Sequence, residues 1–509
     1  MPDRRGRSRI LSGACWCLLI LCVSGCVYLA QPEDAVVSQA QAPDPQSRIG
    51  QLLGGGRGVP ARGLLVEASD LALTARIDMI DAADATIDAQ YFIWQNDPTG
   101  VLVIQKLLDA ADRGVRVRAL LDDVQLTGFV DRLNALDDHP NIEIRIFNPF
   151  SVRFRYPLGF IRIAEFAIDG ARLNHRMHNK LMVADNQLAI LGGRNIGDDY
   201  FGRNPKRNFV DTDILLSGDI VPELSRGFDS YWNSRWAYPV SALMEFSLLP
   251  VDLETIRQRI RDRLEEWPDL ESLGREIAFE DTLADLRDAA ALDWSTTVVD
   301  DPEVGWFERP DDIALDLTEL ALRAEREVLV VTPYLIPTPN AFKIGKELVD
   351  KGVRVRIVTN SLGTNDVVAA QAAYGRYRRR ILDTGVELYE LRADAALPER
   401  GLSEEVCLHS KYIIIDDEIV FVGSLNLDPR SLYLNTEVGV VLESRPLAAT
   451  LRESFDLLAH PDSSWRVTTH ENGFRWESSA GTLDRQPAKN GWQRFRYWFL
   501  SLIPVSSQL

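Results

Sequence analysis

Two histidines, each followed two residues later by a lysine, recur inside one longer pattern. The first copy reads His178-Asn179-Lys180, then Asp185, then Gly192-Gly193-Arg194-Asn195. The second reads His409-Ser410-Lys411, then Asp416, then Gly423-Ser424-Leu425-Asn426. Both fit H-x-K-x4-D-x6-G-[GS]-x-N without a gap, a coincidence that two independent accidents would not produce. These residue types suit displacement at a phosphodiester. Negative charge grows on the nonbridging oxygens as a nucleophile attacks. Lys180, Lys411 and the amides of Asn195 and Asn426, with Ser424 and the Gly193 backbone beside them, can stabilise that charge without a metal. One histidine can attack phosphorus, while the other protonates the leaving alcohol and later takes a proton from the incoming one. Each ring needs its second nitrogen held by a carboxylate. The matched segments Asp211-Thr212-Asp213 and Asn435-Thr436-Glu437 offer Asp213 and Glu437 for this role. Asp185 and Asp416 complete the repeated set and, at turns, are expected to hold strand ends. The sequence has no Cys/His cluster and no H-E-x-x-H spacing, so neither a metal nor a cofactor is expected. His139, His175, His460 and His470 lack the repeated context and stay outside the proposed site.

The elements around the signature repeat as well. Thr86–Tyr91 alternates as a strand and leads through a helical stretch to Arg113-Gly114-Val115-Arg116-Val117-Arg118. Glu327–Val331 leads in the same way to Lys351-Gly352-Val353-Arg354-Val355-Arg356, and Asn141–Ile146 corresponds to Gly385–Tyr389. Strand–helix–strand–helix–strand in each half predicts two similar α/β/α lobes with mixed sheets, related by a pseudo-twofold and sharing one active site. Within each signature a strand carries the histidine and lysine on one side, because residues two apart on a strand share a face. Asp185-Asn186 and Asp416-Asp417 read as the hairpin turns.

The 509 residues exceed one ordinary core. The formal net charge of −19 disfavours a protein that grips a long polyanion, so no nucleic-acid partner is expected. Four of the five cysteines fall within the first 26 residues, which excludes a disulfide framework in the body. Arg4, Arg5, Arg7 and Arg9 precede an apolar stretch that ends at Val23-Ser24-Gly25-Cys26, which resembles a bacterial lipobox with Cys26 as the lipidated residue. An uncleaved anchor over 11–30 is the alternative. Either reading puts the body on the outer side of the inner membrane. The expected location is therefore the bacterial cell envelope, facing the periplasm, with the outer membrane a candidate. The expected organisation is a lipoprotein signal peptide (1–25), a flexible tether (26–60), a first lobe (61–240), an acidic helical connector (241–300), a second lobe (301–465) and an aromatic-basic C-terminal tail (466–509). Aromatics mixed with arginine around Phe147–Ile163 and in Trp492–Leu500 suit a membrane boundary.

The doubled H-x-K-x4-D motif resembles the phospholipase D superfamily. Further segments are similar to the C-type branch of bacterial cardiolipin synthases: Gln90–Trp94, Leu173–Lys180, Gly192–Asp198, Thr359–Leu362, Leu427–Arg430 and Leu502–Val505. Gly193 departs from the superfamily's usual serine but follows the cardiolipin synthase pattern. The resemblance covers about residues 60–509. It implies transfer of a phosphatidyl group to phosphatidylglycerol through a phosphohistidine, with His178 as nucleophile and His409 as acid/base. It leaves phosphatidylethanolamine or a second phosphatidylglycerol as donor, and associates the branch with a small accessory protein. A monomer acting on membrane phospholipids is expected. A hydrolytic phospholipase D releasing phosphatidic acid shares the catalytic set and stays open, as does, further off, a nuclease.

Overall fold

The computed structural model describes residues 36–54, 58–126, 130–151, 159–243, 251–267, 278–303, 312–402, 405–471 and 473–502. The signal-peptide residues, Cys26 and most of the aromatic stretch after Ser151 lie outside these.

In the first lobe the strands are β1 (Arg62–Val66), β2 (Thr86–Tyr91), β3 (Arg116–Asp122), β4 (Ile142–Phe147), β5 (Arg176–Met177), β6 (Lys180–Ala184), β7 (Leu188–Gly192), β8 (Arg207–Val210), β9 (Asp213–Ser217) and β10 (Ala237–Pro239). The second lobe continues with β11 (Trp294–Val299), β12 (Glu327–Val331), β13 (Arg354–Asn360), β14 (Glu387–Leu391), β15 (Glu405–Leu408), β16 (Tyr412–Ile415), β17 (Ile419–Gly423), β18 (Asn435–Thr436), β19 (Val438–Glu443), β20 (Ser464–His470), β21 (Gly473–Ser478) and β22 (Gly481–Leu483). The large sheets run β1-β9-β7-β6-β2-β3-β4-β10 and β11-β19-β17-β16-β12-β13-β14-β20-β21-β22. The first eight strands of the second order repeat the first order position by position. In each sheet the three central strands (β2-β3-β4, β12-β13-β14) are parallel and the flanking pairs antiparallel. β2 is buried along its whole length, as expected of a parallel strand covered on both faces.

The sheets meet at β7, β9, β17 and β19. One apolar cluster draws from both lobes, including Leu120, Leu181, Ile214 and Trp232 on one side and Leu329, Ile414, Val440 and Phe455 on the other. Helix Ile220–Trp232 touches β11 of the opposite sheet, and helix Arg445–Ala459 touches β1. The lobes therefore share a core, which fixes whatever lies between them.

Both hairpin turns take the expected places. Asp185 and Asn186 (φ 51° and 53°) and Asp416 and Asp417 (φ 54° and 60°) have the left-handed backbone of a tight turn with two positive φ angles. Asp185 accepts backbone N–H bonds from Asp84, Ala85 and Thr86 at 2.9, 2.8 and 2.9 Å. Asp416 does the same for Glu325, Arg326 and Glu327. They pin the start of the strand beside the hairpin. At five residues from Lys180 and Lys411 along a strand, each lies about 16 Å from the reacting end. Asp185 and Asp416 are thus positioning residues, not members of the catalytic group. Asp185→Ala orphans three N–H groups and is expected to lower unfolding free energy by about 1–3 kcal/mol in a denaturant titration, with turnover affected less than stability.

Three expected boundaries move. Part of the expected tether packs on the body: Arg145 donates to Val36 O, Ser38 and Ala40 donate to Asn233 and Asp229, and Ile49 is fully buried. The connector ends earlier, because β11 pairs with β19 and occupies the place β1 holds in the first sheet. The second sheet runs beyond residue 465 through β20, β21 and β22, which leaves helix Gly491–Ser501 as the element that carries the aromatic tail.

Candidate active site

Two short parallel ladders join the lobes and build the site. β15, which leads into His409, pairs with β8, which leads into Asp211; β5, which leads into His178, pairs with β18, which leads into Glu437. The ladders continue by one bond into the histidines. His409 N–H donates to Val210 O at 2.7 Å, and His178 N–H donates to Thr436 O at 2.8 Å. Each histidine is thereby delivered beside a carboxylate of the other lobe. Asp211 Oδ2 lies 2.6 Å from His409 Nδ1, and Glu437 Oε2 lies 2.8 Å from His178 Nδ1. An Nδ1 proton donated to a carboxylate leaves the lone pair on Nε2. The 2.9 Å approach of Lys411 Nζ to His409 Nδ1 is then a contact and not a second bond. Lys411 Nζ donates instead to His409 O, as Lys180 Nζ does to His178 O at 2.5 Å.

Asp213 does not serve His409. Fully buried, it binds Arg76 at 2.8 Å and Arg194 at 3.3 Å. Asp211 and Asp213 lie two apart and would share a face on a strand, so alternation does not separate them. The pairing decides: Gly192 faces Asp213 as Gly423 faces Gly439, which makes Asp211 the counterpart of Glu437.

The same register explains Gly193. A Cβ there would fall 2.0 Å from Asp211 Oδ1 and 2.7 Å from its carboxyl carbon. The Asp211 carboxylate occupies the space a side chain would take. At the equivalent place Ser424 fits because its hydroxyl donates to Glu437 Oε2 at 2.5 Å. Gly193→Ala must displace Asp211 from His409. The expected result is a fall in kcat of about 10²-fold or more, read against an unchanged Ser424→Ala fold by circular dichroism.

Asn195 and Asn426 sit on the loops beyond β7 and β17. Asn195 Oδ1 accepts from Ile93 N–H at 3.0 Å, and its side chain also bonds Tyr200. Asn426 Oδ1 is buried without a protein hydrogen bond. Aromatic rings flank the histidines: Phe92 stands edge-on to His178 at 4.9 Å, while Tyr200 and Phe209 lie 5.4 and 5.0 Å from His409.

Burial sets the charges. His178 is held well below its ordinary value by burial and by Lys180 and Lys411, so its ring is neutral. Burial and Lys411 also lower His409, but Asp211 works in the opposite sense. Although burial opposes it, the Asp211 carboxyl stays below the usual range because His409, Lys411 and Arg194 favour its anion. Burial pushes Glu437 up to about 7 against the pull of Lys180. Burial also lowers Lys411 to about 8, opposed by Asp211 and Glu437, and carries Lys180 well below its usual value. The two halves match in geometry and differ in charge.

Several supports escaped the sequence reading. Asp122 accepts from Met177 N–H at 3.0 Å, just before His178. Asn360 exchanges bonds of 2.9 and 2.8 Å with the Leu408 backbone, just before His409. Both lie four residues after the repeated Arg-Val-Arg, a common offset that could have marked them. Asp300 accepts from Glu437 N–H at 2.8 Å, so the connector does reach the site. Arg400 holds Asp211 O at 3.1 Å and Glu67 at 2.6 Å, bracing that segment. Neither Asp300 nor Arg400 carries a repeat signal.

Comparison with known proteins shows the family. A family model described as cardiolipin synthase, phospholipase D-like domain matches twice, at residues 76–232 and 317–459. Cardiolipin synthase C of Escherichia coli (strain K12) is 35% identical over 465 residues, covering 86% of this chain and 94% of that one. A cardiolipin synthase of Staphylococcus aureus (strain Mu50 / ATCC 700699) is 26% identical over 379 residues, covering 74% and 63%. The crystal structure of phosphatidylserine synthase from Haemophilus influenzae Rd KW20 superposes with a TM-score of 0.58 at 15% identity, covering 92% of this chain and all of that one, which is a likeness of fold. With both copies of the repeat matched and a relative of this similarity along nearly its whole length, the chain belongs to the cardiolipin synthase family of phospholipase D-like enzymes.

Proposed function

We propose that the protein is a phosphatidyltransferase that moves a phosphatidyl group from a donor phospholipid to phosphatidylglycerol, giving cardiolipin. The observation that carries this reading is the crossed pairing of two buried histidines, each oriented by the opposite lobe, with Lys180 and Lys411 beside them. His178 Nε2 attacks phosphorus; the new P–N bond forms as the P–O bond to the headgroup breaks. His409 gives its proton to the departing alkoxide. The headgroup alcohol leaves, and a phosphatidylglycerol hydroxyl takes its place. His409 removes that proton while the oxygen attacks phosphorus and the P–N bond breaks. The lysines balance charge on the nonbridging oxygens in both steps. The carboxylates differ in a way that suits the roles: the lowered His178 ring is neutral, the nucleophilic form, and the permanent Asp211 anion favours the protonated form that His409 needs as an acid.

The N-terminal reading places the enzyme in the cell envelope, lipidated at Cys26 and facing the periplasm. A Cys26→Ala variant should then lose the lipid mass from its mature N-terminus. Purified protein given labelled phosphatidylglycerol, with and without phosphatidylethanolamine, is expected to form labelled cardiolipin. Release of ethanolamine in step with cardiolipin would identify phosphatidylethanolamine as donor, and release of glycerol a second phosphatidylglycerol. Phosphatidic acid alone would instead make the protein a hydrolase.

A further inference from the structure

Helix Gly491–Ser501 carries the largest group of exposed apolar side chains among the described residues. Trp492, Phe495, Trp498, Phe499 and Leu502 are 66, 49, 55, 52 and 64% exposed. They are not scattered. At 3.6 residues per turn they fall within an arc of about 120°, and Trp492, Phe495 and Trp498 stack in a row with centroid spacings of 5.3 and 5.9 Å. The opposite side holds the helix to the second lobe. Gln493 donates to Leu362 O at 2.6 Å, Arg376 donates to Ser501 O at 2.7 Å, and Tyr497 packs over Gly375 where no side chain would fit. The apolar row is therefore not a core face that missed its partner, since the core-facing side is already docked.

Arg494 and Arg496 project at the two edges of the row, one on each side. A row of tryptophan, phenylalanine and leucine with arginine along both edges is the pattern of a helix lying in the plane of a bilayer surface. Charge selects the kind of surface. The whole chain is acidic at −19, yet residues 485–509 contain Arg485, Lys489, Arg494 and Arg496 and no Asp or Glu. This segment is drawn to anionic headgroups against the repulsion of an acidic chain.

The helix is also tied to the active site. Leu362, which Gln493 grips, lies two residues beyond Asn360, the residue that holds the strand entering His409. Lys489 pairs with Glu405 at the start of that same strand, β15. No helix of the described residues is long and apolar enough to cross a membrane. We propose that Gly491–Ser501 is an interfacial helix that lays its Trp492–Trp498 row on an anionic phospholipid surface and so holds the His409 side of the site at the membrane from which lipids enter. The inference deepens the phosphatidyltransferase reading and rests on it.

The test is local, because an N-terminal anchor would keep the full chain on vesicles regardless. A photoreactive benzoyl-phenylalanine replaces Trp498 in the full-length protein carrying His178→Ala, and, as a control, Trp294 on the β11 edge. Vesicles contain phosphatidylglycerol and phosphatidylethanolamine, or phosphatidylcholine alone. After irradiation, lipid adducts are expected on the peptide holding position 498 and not at 294, with the higher yield on phosphatidylglycerol. Arg494→Gln and Arg496→Gln should each lower that yield by up to about fivefold and weaken its dependence on salt. Equal labelling at both positions, a protein–protein crosslink at 498, or no adduct there would overturn the proposal. Because the background is inert, the result does not depend on the chemistry. Cardiolipin synthesis by the active protein without an adduct at 498 would sink this inference and leave the proposed function standing.

Discussion

His178→Ala is expected to abolish covalent capture of the phosphatidyl group, whereas His409→Ala is expected to keep it. Only a ring with a free Nε2 can form the P–N bond, so losing His178 should cost at least about 10⁴-fold in turnover and leave no acid-labile phospholipid on the protein. In the proposed mechanism His409 has a different task in each half of the reaction. In the first half it supplies a proton to a poor leaving group, and a donor with an acidic phenol in place of its headgroup does not need that proton. With such a donor, His409→Ala should fall by less than about 10²-fold in its first turnover. In the second half it must deprotonate an alcohol, and nothing replaces it there. The phosphatidyl-enzyme should therefore accumulate in His409→Ala, read by mass on the peptide containing His178. A stable adduct on the His409 peptide instead would reverse the assignment.

Asp211→Asn and Glu437→Gln remove equivalent carboxylates, yet their losses should depend on pH in different ways. Asp211 is held below the usual carboxylate range and stays anionic at every working pH. An amide there can neither stabilise protonated His409 nor fix its tautomer, so kcat is expected to fall by about 10³–10⁴-fold, with a ratio to wild type that does not change with pH. Glu437 titrates at about 7 because burial disfavours its anion. Below that pH the native Glu437 has already taken up a proton and resembles glutamine. Above it, the native side chain carries a charge that glutamine lacks. The gap between wild type and Glu437→Gln should thus be small at pH 6, open through pH 7 and level off near pH 8. A single-turnover series of both variants over that range checks this. A ratio for Glu437→Gln that stays flat would remove the charge difference between the two halves.

Much of the site was legible from the repeat. His178, Lys180, His409 and Lys411 share an invariant local spacing on a strand, and strand geometry carries them to one side without any knowledge of the fold. The two turns were equally local, since Asp-Asn and Asp-Asp pairs tolerate the positive φ that a tight hairpin requires. Two α/β/α lobes followed from strand and helix periods in matching order.

The chain order did not disclose what lies across the interface. Asp211 and Asp213 differ by one strand repeat, and they lie five and seven residues further from Asn195 than Glu437 lies from Asn426, so no fixed offset chooses between them. The choice came from β8 pairing with β15 and from Arg76 and Arg194 claiming Asp213. Gly193 could be noted as a departure but not explained until the Asp211 carboxylate appeared in its place. The same holds for Asp300, which reaches Glu437 from a stretch that reads as an acidic helical connector. Sequence alone determined the chemical groups and their local faces, because short-range backbone geometry fixes both. Only the tertiary structure decided which carboxylate orients which histidine and how burial divides the charge, because those depend on contacts between residues that are distant along the chain.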